Sequence, residues 1–192
     1  MTSTAMPDGR GQLLAAARAE LEENGRAAIG LRAIARRAGL SHAAPGYFFK
    51  DHAGMLTALA TEGFTELSGE LETVDEREAP ARLEALGRRY VHFGLSHPAL
   101  LDLMFSASDL HTDDPDLRAA QHRAISALTR VLDAGDPAPP DPRTVMAWAL
   151  AHGLATLAGQ GALTPNPNDA KPTVDAVLAA FADVMTRSAS GT

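Results

Sequence analysis

The sequence predicts an all-α protein of about nine helices. Ala and Leu supply most of an apolar content of 45%, and both residues are strong helix formers. No stretch alternates apolar and polar residues for long, as a half-buried strand would. Apolar residues instead recur three and four positions apart along most of the 192-residue chain. That spacing places them on one face of a helix.

The N-terminal helices are short and separated by glycines. The first predicted helix covers Gln12–Asn24 and ends there because Asn and Gly tolerate the left-handed conformation. A second helix over Leu31–Ala38 ends at Gly39. Ser41 is then predicted to cap a third short helix, since its hydroxyl accepts a backbone N–H of the first turn. Two short helices with a Gly-containing turn form a helix-turn-helix, although ordinary helical bundles contain the same spacing.

A longer helix is predicted from about Asp51 to Thr73, followed by an acidic break over Val74–Pro80. Two later segments rich in Pro are expected to be loops, at Gly135–Pro142 and Thr164–Pro172. The tails Met1–Gly9 and Ser188–Thr192 are expected to be disordered. The remaining predicted helices are Ala81–Ser96, Pro98–Ser108, Asp116–Leu132, Arg143–Leu163 and Thr173–Arg187.

Charge is distributed unevenly along the chain. The formal net charge is −7, which taken alone speaks against binding to nucleic acid. The first 60 residues, however, hold seven Lys/Arg and five Asp/Glu, whereas the remaining residues hold 10 and 19. A basic N-terminal third on an acidic remainder is typical of a DNA-binding head. Ordinary scatter of surface charges is the alternative explanation.

Several classes of site are excluded by residues that the sequence lacks. Without cysteine there is no disulfide, thiolate nucleophile or Cys-based zinc site. No phosphate-binding loop, G-x-S-x-G elbow or H-E-x-x-H motif occurs. His92 and His97 stand five residues apart and lack a third ligand. We therefore expect no enzymatic activity, no cofactor and no metal.

The chain also lacks the patterns of secreted and membrane proteins. The N-terminus has no apolar signal segment, and no run of about 18 apolar residues is present. We therefore expect a cytoplasmic protein that makes no membrane contact.

Residues Leu13 to Leu59 resemble the DNA-binding domain of the tetracycline-repressor (TetR) family. The matching stretches are LLAAARAELEENG, LRAIARRAGLSHAAP and FFKDHAGMLTALATEGF. They correspond to the family's apolar first helix, its IA..AG(V/L)S helix-turn and its hFxxKxxLL end. The resemblance implies a helix-turn-helix domain over residues 9–69 that binds a double-stranded DNA operator. The contacts that it implies are Arg32, Ser41, His42, Ala43, Ala44, Tyr47, Lys50 and His52.

The chemistry of these residues distinguishes contacts that read the DNA sequence from contacts that only position the protein on the DNA. Ala43 and Ala44 suit thymine methyl groups, and His42 suits a base edge or a phosphate. Arg32, Tyr47 and Lys50 suit phosphates, which position the protein without specifying sequence. For Lys50 and His52, a solvated or helix-capping role is the alternative, and Phe49 is expected to pack in the core.

Three positions depart from the family pattern. Gly46 stands where the family has a phosphate-contacting Tyr, and Tyr47 is adjacent to it. Phe48 replaces a His, and His52 replaces a Lys that helps to start the fourth helix. These departures keep open a second hypothesis, in which the chain is a helical ligand-binding or interaction protein with weakened DNA binding.

Two later stretches resemble a sensor domain of the Trp-His-Gly type found on such regulators, YVHFGLSHPALLDLMFS and WALAHGLATLAGQGAL. The resemblance implies a ligand-sensing and dimerisation domain over residues 70–188, a homodimer through the last two helices and a small-molecule effector. The implied function is a ligand-responsive regulator, a repressor released by that effector. A core position is the alternative for each apolar ligand candidate, whereas a His in an apolar environment needs a partner. The candidates are Phe93, His97, Leu100, Met104, Phe105, Trp148 and His152.

Overall fold

The structure, a computed structural model, describes residues 9–132, 141–163 and 173–187. Regular secondary structure in these ranges is entirely helical, which confirms the predicted all-α class with about nine helices. Two short 3₁₀ helices cover Arg26–Ala28 and Ala107–Asp109. The α-helices are α1 (Gly9–Asn24), α2 (Leu31–Arg37), α3 (Ala44–Phe49), α4 (His52–Glu72), α5 (Ala79–Ser96), α6 (Pro98–Met104), α7 (Pro115–Leu132), α8 (Pro142–Gly159) and α9 (Val174–Arg187).

None of the described helices is long and apolar enough to span a membrane. The predicted disordered tails lie outside the described residues apart from Gly9, which starts α1. The predicted loop at Thr164–Pro172 lies wholly outside them. Only the end of the other predicted loop, Gly135–Pro142, is described, where it leads into α8.

Two predicted helices end earlier than expected. α8 ends at Gly159 rather than Leu163, because Gly161 has a φ of 74° and the Ala162 N–H donates to the Leu157 carbonyl at 2.9 Å. This geometry is a Schellman motif, which closes a helix with a left-handed residue. α6 ends at Met104 rather than Ser108, where the Ser106 hydroxyl accepts a hydrogen bond from Arg26.

The described chain divides into two units, of which the first contains residues 9–63 and 99–118. Its helices α1, α2 and α3 contact one another around buried side chains such as Leu13, Leu21 and Ile34. α6 packs on the first half of α4 at Gly63. A Cβ at that position would lie 2.7 Å from the Met104 sulfur and 3.0 Å from Leu100 Cδ2, so the two helices approach closely.

The second unit contains residues 64–98 together with the described residues from 119 onwards. α5 packs against both α8 and α9. A Cβ at Gly87 would lie 2.6 Å from Leu178 Cδ2, so the absence of a side chain there lets α5 and α9 approach. α4 and α7 each contribute residues to both units. The predicted functional boundary between residues 69 and 70 stays a prediction.

Candidate DNA-binding surface and ligand cleft

The helix-turn-helix consists of α2, α3 and the turn between them. Gly39 has a φ of 69°, and the Leu40 N–H donates to the Ala35 carbonyl at 2.9 Å. This closes α2 at Gly39, as predicted. α3 begins at Ala44, so the predicted capping role of Ser41 is wrong. The Ser41 carbonyl instead accepts the Ala44 N–H at 3.0 Å, in the turn before the helix.

Pro45 explains why α3 starts without a side-chain cap. It lies in the first turn of the helix, where it is buried and has no N–H that needs a partner. The turn that precedes α3 exposes most of its side chains to solvent. Ser41, His42 and Ala43 are exposed there, and Ala44 is half-buried.

α3 itself has one buried and one exposed face. Phe49 is buried, as expected, and the Arg10 guanidinium lies 5.4 Å from its ring centre. On the opposite face, 83% of the Tyr47 surface is exposed, and the Phe48 ring stacks edge-on against Tyr47. A Cβ at Gly46 would meet no atom within 4 Å. The exposed predicted contacts thus continue from the turn into the helix.

The link between α3 and α4 has a strained backbone at Lys50. This residue has a φ of 68° and a ψ of −58°, and the Asp51 N–H donates across it to the Phe49 carbonyl at 2.8 Å. The geometry is that of a γ-turn, which is rare and strained for a residue other than glycine. Strain of this kind, on the order of 1–3 kcal/mol, concentrates at functional segments.

Asp51 and Gly54 fix the start of α4 on that γ-turn. Asp51 Oδ1 accepts the Gly54 N–H at 2.7 Å and lies 3.1 Å from His111 Nε2. These two hydrogen bonds, the first being the stronger influence, hold the pKa of Asp51 below its usual value. A Cβ at Gly54 would lie only 2.0 Å from the Phe49 carbonyl oxygen. Glycine is therefore required for α4 to pack on the end of α3.

The basic side chains of the first unit differ in how far they are engaged. Arg37 forms ion pairs with Glu20 at 2.9 Å and Glu23 at 2.5 Å, which raise its pKa. Within the described residues, Arg32, Arg36 and Lys50 are exposed and form no ion pair. These three cations have no carboxylate partner among the described residues, whereas Arg37 has two.

His52, the last predicted DNA contact, has a structural partner. Its Nε2 lies 2.8 Å from the carbonyl oxygen of Ile29, and because a carbonyl only accepts, Nε2 donates. The bond ties the first turn of α4 to the segment before α2. Local sequence patterns do not indicate this contact, because its partners stand 23 residues apart.

Within the first unit, polar contacts join the stretch 99–118 to the N-terminal residues. Arg26 Nη1 lies 2.8 Å from Asp109, and the His111 N–H donates to the Thr57 hydroxyl at 2.9 Å. Thr57 is buried on α4. Residues from the middle of the sequence are therefore joined to the helices that hold the helix-turn-helix.

A polar cluster joins α5 and α8 in the second unit. The buried Tyr90 hydroxyl lies 3.0 Å from His152 Nδ1 and accepts the Trp148 indole N–H at 3.3 Å. Burial raises the pKa of Tyr90 and lowers the pKa of His152. Both side chains are therefore neutral at pH 7, and the Tyr90 hydroxyl can donate to the imidazole. This is the partner that the sequence required for His152.

The other ligand candidates fall into two groups. Phe93 is fully buried and His97 is half-buried; their rings lie 5.3 Å apart, and His97 Nε2 lies 3.5 Å from Glu66. Both belong to the second unit. Leu100, Met104 and Phe105 belong to the first unit, where the first two pack against Gly63. The predicted ligand residues are therefore divided between the two units.

Two narrow apolar clefts lie within the second unit. Of the predicted ligand residues, only Trp148 lines one of them. Sequence reasoning missed Tyr90, which lines both clefts, although it begins the stretch that carried the resemblance. The first cleft is lined by Leu71, Leu83, Leu86, Gly87, Tyr90, Leu128, Ala147, Leu150, Ala151, Leu178 and Phe181, and the second by Phe64, Leu67, Leu71, Tyr90, Gln121, Ala124, Ile125, Leu128 and Trp148.

Comparison with known proteins identifies the family. The family described as "Tetracyclin repressor-like, C-terminal domain" matches residues 83–181, which is more than half of the chain. No curated protein matches. The chain belongs to the TetR family of DNA-binding transcriptional regulators. The Trp-His-Gly type of its C-terminal domain stays a prediction.

Solved structures with the same fold cover nearly the whole chain. A protein of unknown function from Rhodococcus sp. RHA1 is 34% identical, with a TM-score of 0.78 and coverage of 98% of both chains. A regulatory protein in the tetR family from Rhodococcus RHA1 is 18% identical, covers 95% of this chain and 97% of its own, and has a TM-score of 0.63. A TetR variant from Acinetobacter baumannii AYE in complex with minocycline is 16% identical, with coverage of 95% and 98% and a TM-score of 0.66.

Proposed function

We propose that this chain is a ligand-responsive repressor that acts in the cytoplasm. A homodimer binds an operator in double-stranded DNA, and a small-molecule effector releases it. The observation that carries the DNA-binding part is the exposed surface of the turn and α3, in a unit whose Arg32, Arg36 and Lys50 form no ion pair with another described residue. Family membership supports the same reading.

We assign the exposed residues to two roles on DNA. His42, Ala43 and Ala44, with Ser41 before them, are small enough for close approach and read base edges in the major groove. Arg32, Tyr47 and Lys50 contact phosphates. His52 is engaged with Ile29, so we assign it a positioning role at the start of α4 and a secondary contact with phosphate.

The homodimer is proposed to form through α8 and α9. Four large apolar side chains are exposed on these helices, Val145, Met146, Leu157 and Val184. In an isologous dimer the same patch of each subunit faces its copy, so such side chains become buried. A dimer also supplies the two helix-turn-helix heads that paired half-sites need.

The effector is proposed to bind in the second unit, and α4 is the element that transmits its binding. Phe64, Leu67 and Leu71 of α4 line the clefts, and the same continuous helix begins beside the γ-turn at Lys50. A ligand that favours one position of α4 changes the separation of the two recognition helices, provided that its affinity differs between the states. Trp148 lines the second cleft, and His152 lies against the Tyr90 hydroxyl beside it. All seven ligand candidates, which also include Phe93, His97, Leu100, Met104 and Phe105, stay predictions.

One observation favours the alternative of a helical ligand-binding or interaction protein with weakened DNA binding. Phe48 is 37% exposed and has no polar atom to bond a phosphate. The open space at Gly46 likewise supplies no side chain for a phosphate contact. DNA affinity distinguishes the two functions.

Two substitutions test the roles assigned to single residues. Lys50→Ala should weaken binding to specific and random DNA alike. It should also reduce the steepness of the plot of log binding constant against log salt concentration by about one, because one phosphate contact is lost. His42→Ala should instead relax sequence preference, by about 1–3 kcal/mol for a lost base contact. Affinities are measured by fluorescence anisotropy on both DNAs.

Matched controls lie on α7 in the second unit. Arg130→Ala removes one positive charge and His122→Ala removes one imidazole from exposed positions away from the helix-turn-helix. Both controls should bind DNA as the unsubstituted chain does. Equal effects of Lys50→Ala and His42→Ala on random DNA would contradict the assigned roles.

A further inference from the structure

The two apolar clefts of the second unit share one wall. Leu71, Tyr90 and Leu128 line both of them, so these side chains form a wall that the two spaces share. Leucine side chains exchange between rotamers at low cost. A ligand that turns Leu71 and Leu128 aside therefore occupies one continuous double cleft rather than two narrow ones.

The lining of this double cleft carries no charge. No Lys, Arg, His, Asp or Glu side chain is among the residues that line either cleft. A charged group that leaves water without a partner loses far more hydration energy than apolar burial returns. A ligand with a buried formal charge would find no counterion here.

Gln121 is a polar side chain of the lining whose amide has no hydrogen-bond partner among the described residues. This amide can both donate and accept. The indole N–H of Trp148 is already donated to Tyr90. The Tyr90 hydroxyl lies against His152 as well. A ligand therefore meets one unengaged amide in an otherwise apolar space.

We propose that the double cleft binds a neutral, mainly apolar molecule with aromatic rings, whose single polar group bonds to the Gln121 amide. Phe64, Tyr90 and Trp148 supply aromatic surface for offset or edge-on stacking. The inference rests on the proposed function, because it states the chemical class of the effector.

Two fluorescent probes with the same ring system test the charge requirement. N-phenylnaphthylamine is neutral and has one N–H, whereas anilinonaphthalene sulfonate adds one negative charge. The full-length chain should bind the neutral probe at least roughly 100-fold more tightly, because the cleft offers the sulfonate no partner. Equal affinities, or tighter binding of the sulfonate, would overturn the proposal.

Substitutions then locate the bound probe. Ala124→Leu fills the second cleft and should abolish binding of the neutral probe, whereas Ala119→Leu adds the same side chain at an exposed position of α7. Gln121→Met keeps the side-chain length but removes the amide, so it should weaken binding roughly threefold to tenfold, as for a lost hydrogen bond. This second variant keeps the test decisive if Ala124→Leu does not fold. Unchanged probe affinity in Gln121→Met would overturn the proposal.

DNA binding measured on the same samples separates this inference from the proposed function. Selective DNA binding without probe binding would overturn the ligand class and leave the regulator intact. Probe binding that is weakened in Gln121→Met but never alters DNA affinity would support the ligand class and contradict release through this cleft.

Discussion

Lys50 adopts a φ of 68° although it has a side chain, and the contact of Gly54 with the Phe49 carbonyl helps to hold it there. Backbone strain persists where neighbouring contacts over-determine the conformation. Here those contacts are the Asp51 bond to the Gly54 N–H and the packing of α4 on the end of α3. The packing of α4 on the end of α3 therefore depends on a glycine that lies outside α3.

Gly54→Ala tests this dependence. The added Cβ would lie 2.0 Å from the Phe49 oxygen, so α4 must move away from the γ-turn. We expect a loss of stability of about 1–3 kcal/mol, as for other overpacked sites, and weaker DNA binding. Thermal unfolding and DNA affinity are the measurements.

Gly69→Ala is the matched control on the same helix. A Cβ at Gly69 meets nothing within 4 Å, and the residue is exposed. This change should raise stability by about 0.4–1 kcal/mol, because Ala favours a helix over the unfolded chain. If the two variants were equally stable, the account of Gly54 would be wrong.

Conformational preferences of single residues were readable from the sequence, whereas contacts between distant residues were not. Gly25 and Gly39 were expected to end helices, and both have a positive φ. The prediction for Ser41 failed because its carbonyl, not its hydroxyl, forms the turn before α3. The bond from His52 to Ile29 depends on tertiary folding, and local patterns carry no information on it.

Whole helices were predicted more reliably than their ends. Amphipathic spacing is a local property, so the nine α-helices of the described ranges could be located from local sequence patterns. Just beyond the end of α6, Arg26 from a distant part of the chain donates to the Ser106 hydroxyl, a contact that local spacing does not indicate. The prediction for α8 extended past Gly161, although this glycine is a local signal for a helix end. Its positive φ completes the Schellman motif.

The last two helices carry the prediction for dimerisation. Met146 is 55% exposed on α8, so in the proposed dimer Met146→Asp would bury a charge and should yield monomers. Leu95→Asp makes a similar change on α5, where 46% of the side chain is exposed, and should leave the dimer intact. Light scattering at micromolar concentration is the measurement. A monomeric unsubstituted chain would contradict the interface.

At the scale of the whole molecule, the sequence predicted the family and the helix-turn-helix. The DNA contacts stay a prediction. The sequence did not predict the two apolar clefts, because side chains from five helices line the first and side chains from four line the second. Leu100 and Met104 were ligand candidates because they lie in the stretch that resembles a sensor domain. In the structure they pack against Gly63 in the first unit, a close approach that no local pattern indicates.

The central claim is selective DNA binding, and the most direct test is the affinity of the purified chain for DNA flanking its own gene. Shuffled DNA of the same composition is the comparison, and both are measured at two salt concentrations. We predict that the chain binds the flanking DNA more tightly than the shuffled DNA and that this binding weakens with salt. The log binding constant should fall against log salt concentration with a slope of about −0.9 for each phosphate contacted. Weak binding, equal on both DNAs, would contradict the regulator and favour a head disabled at Gly46 and Phe48.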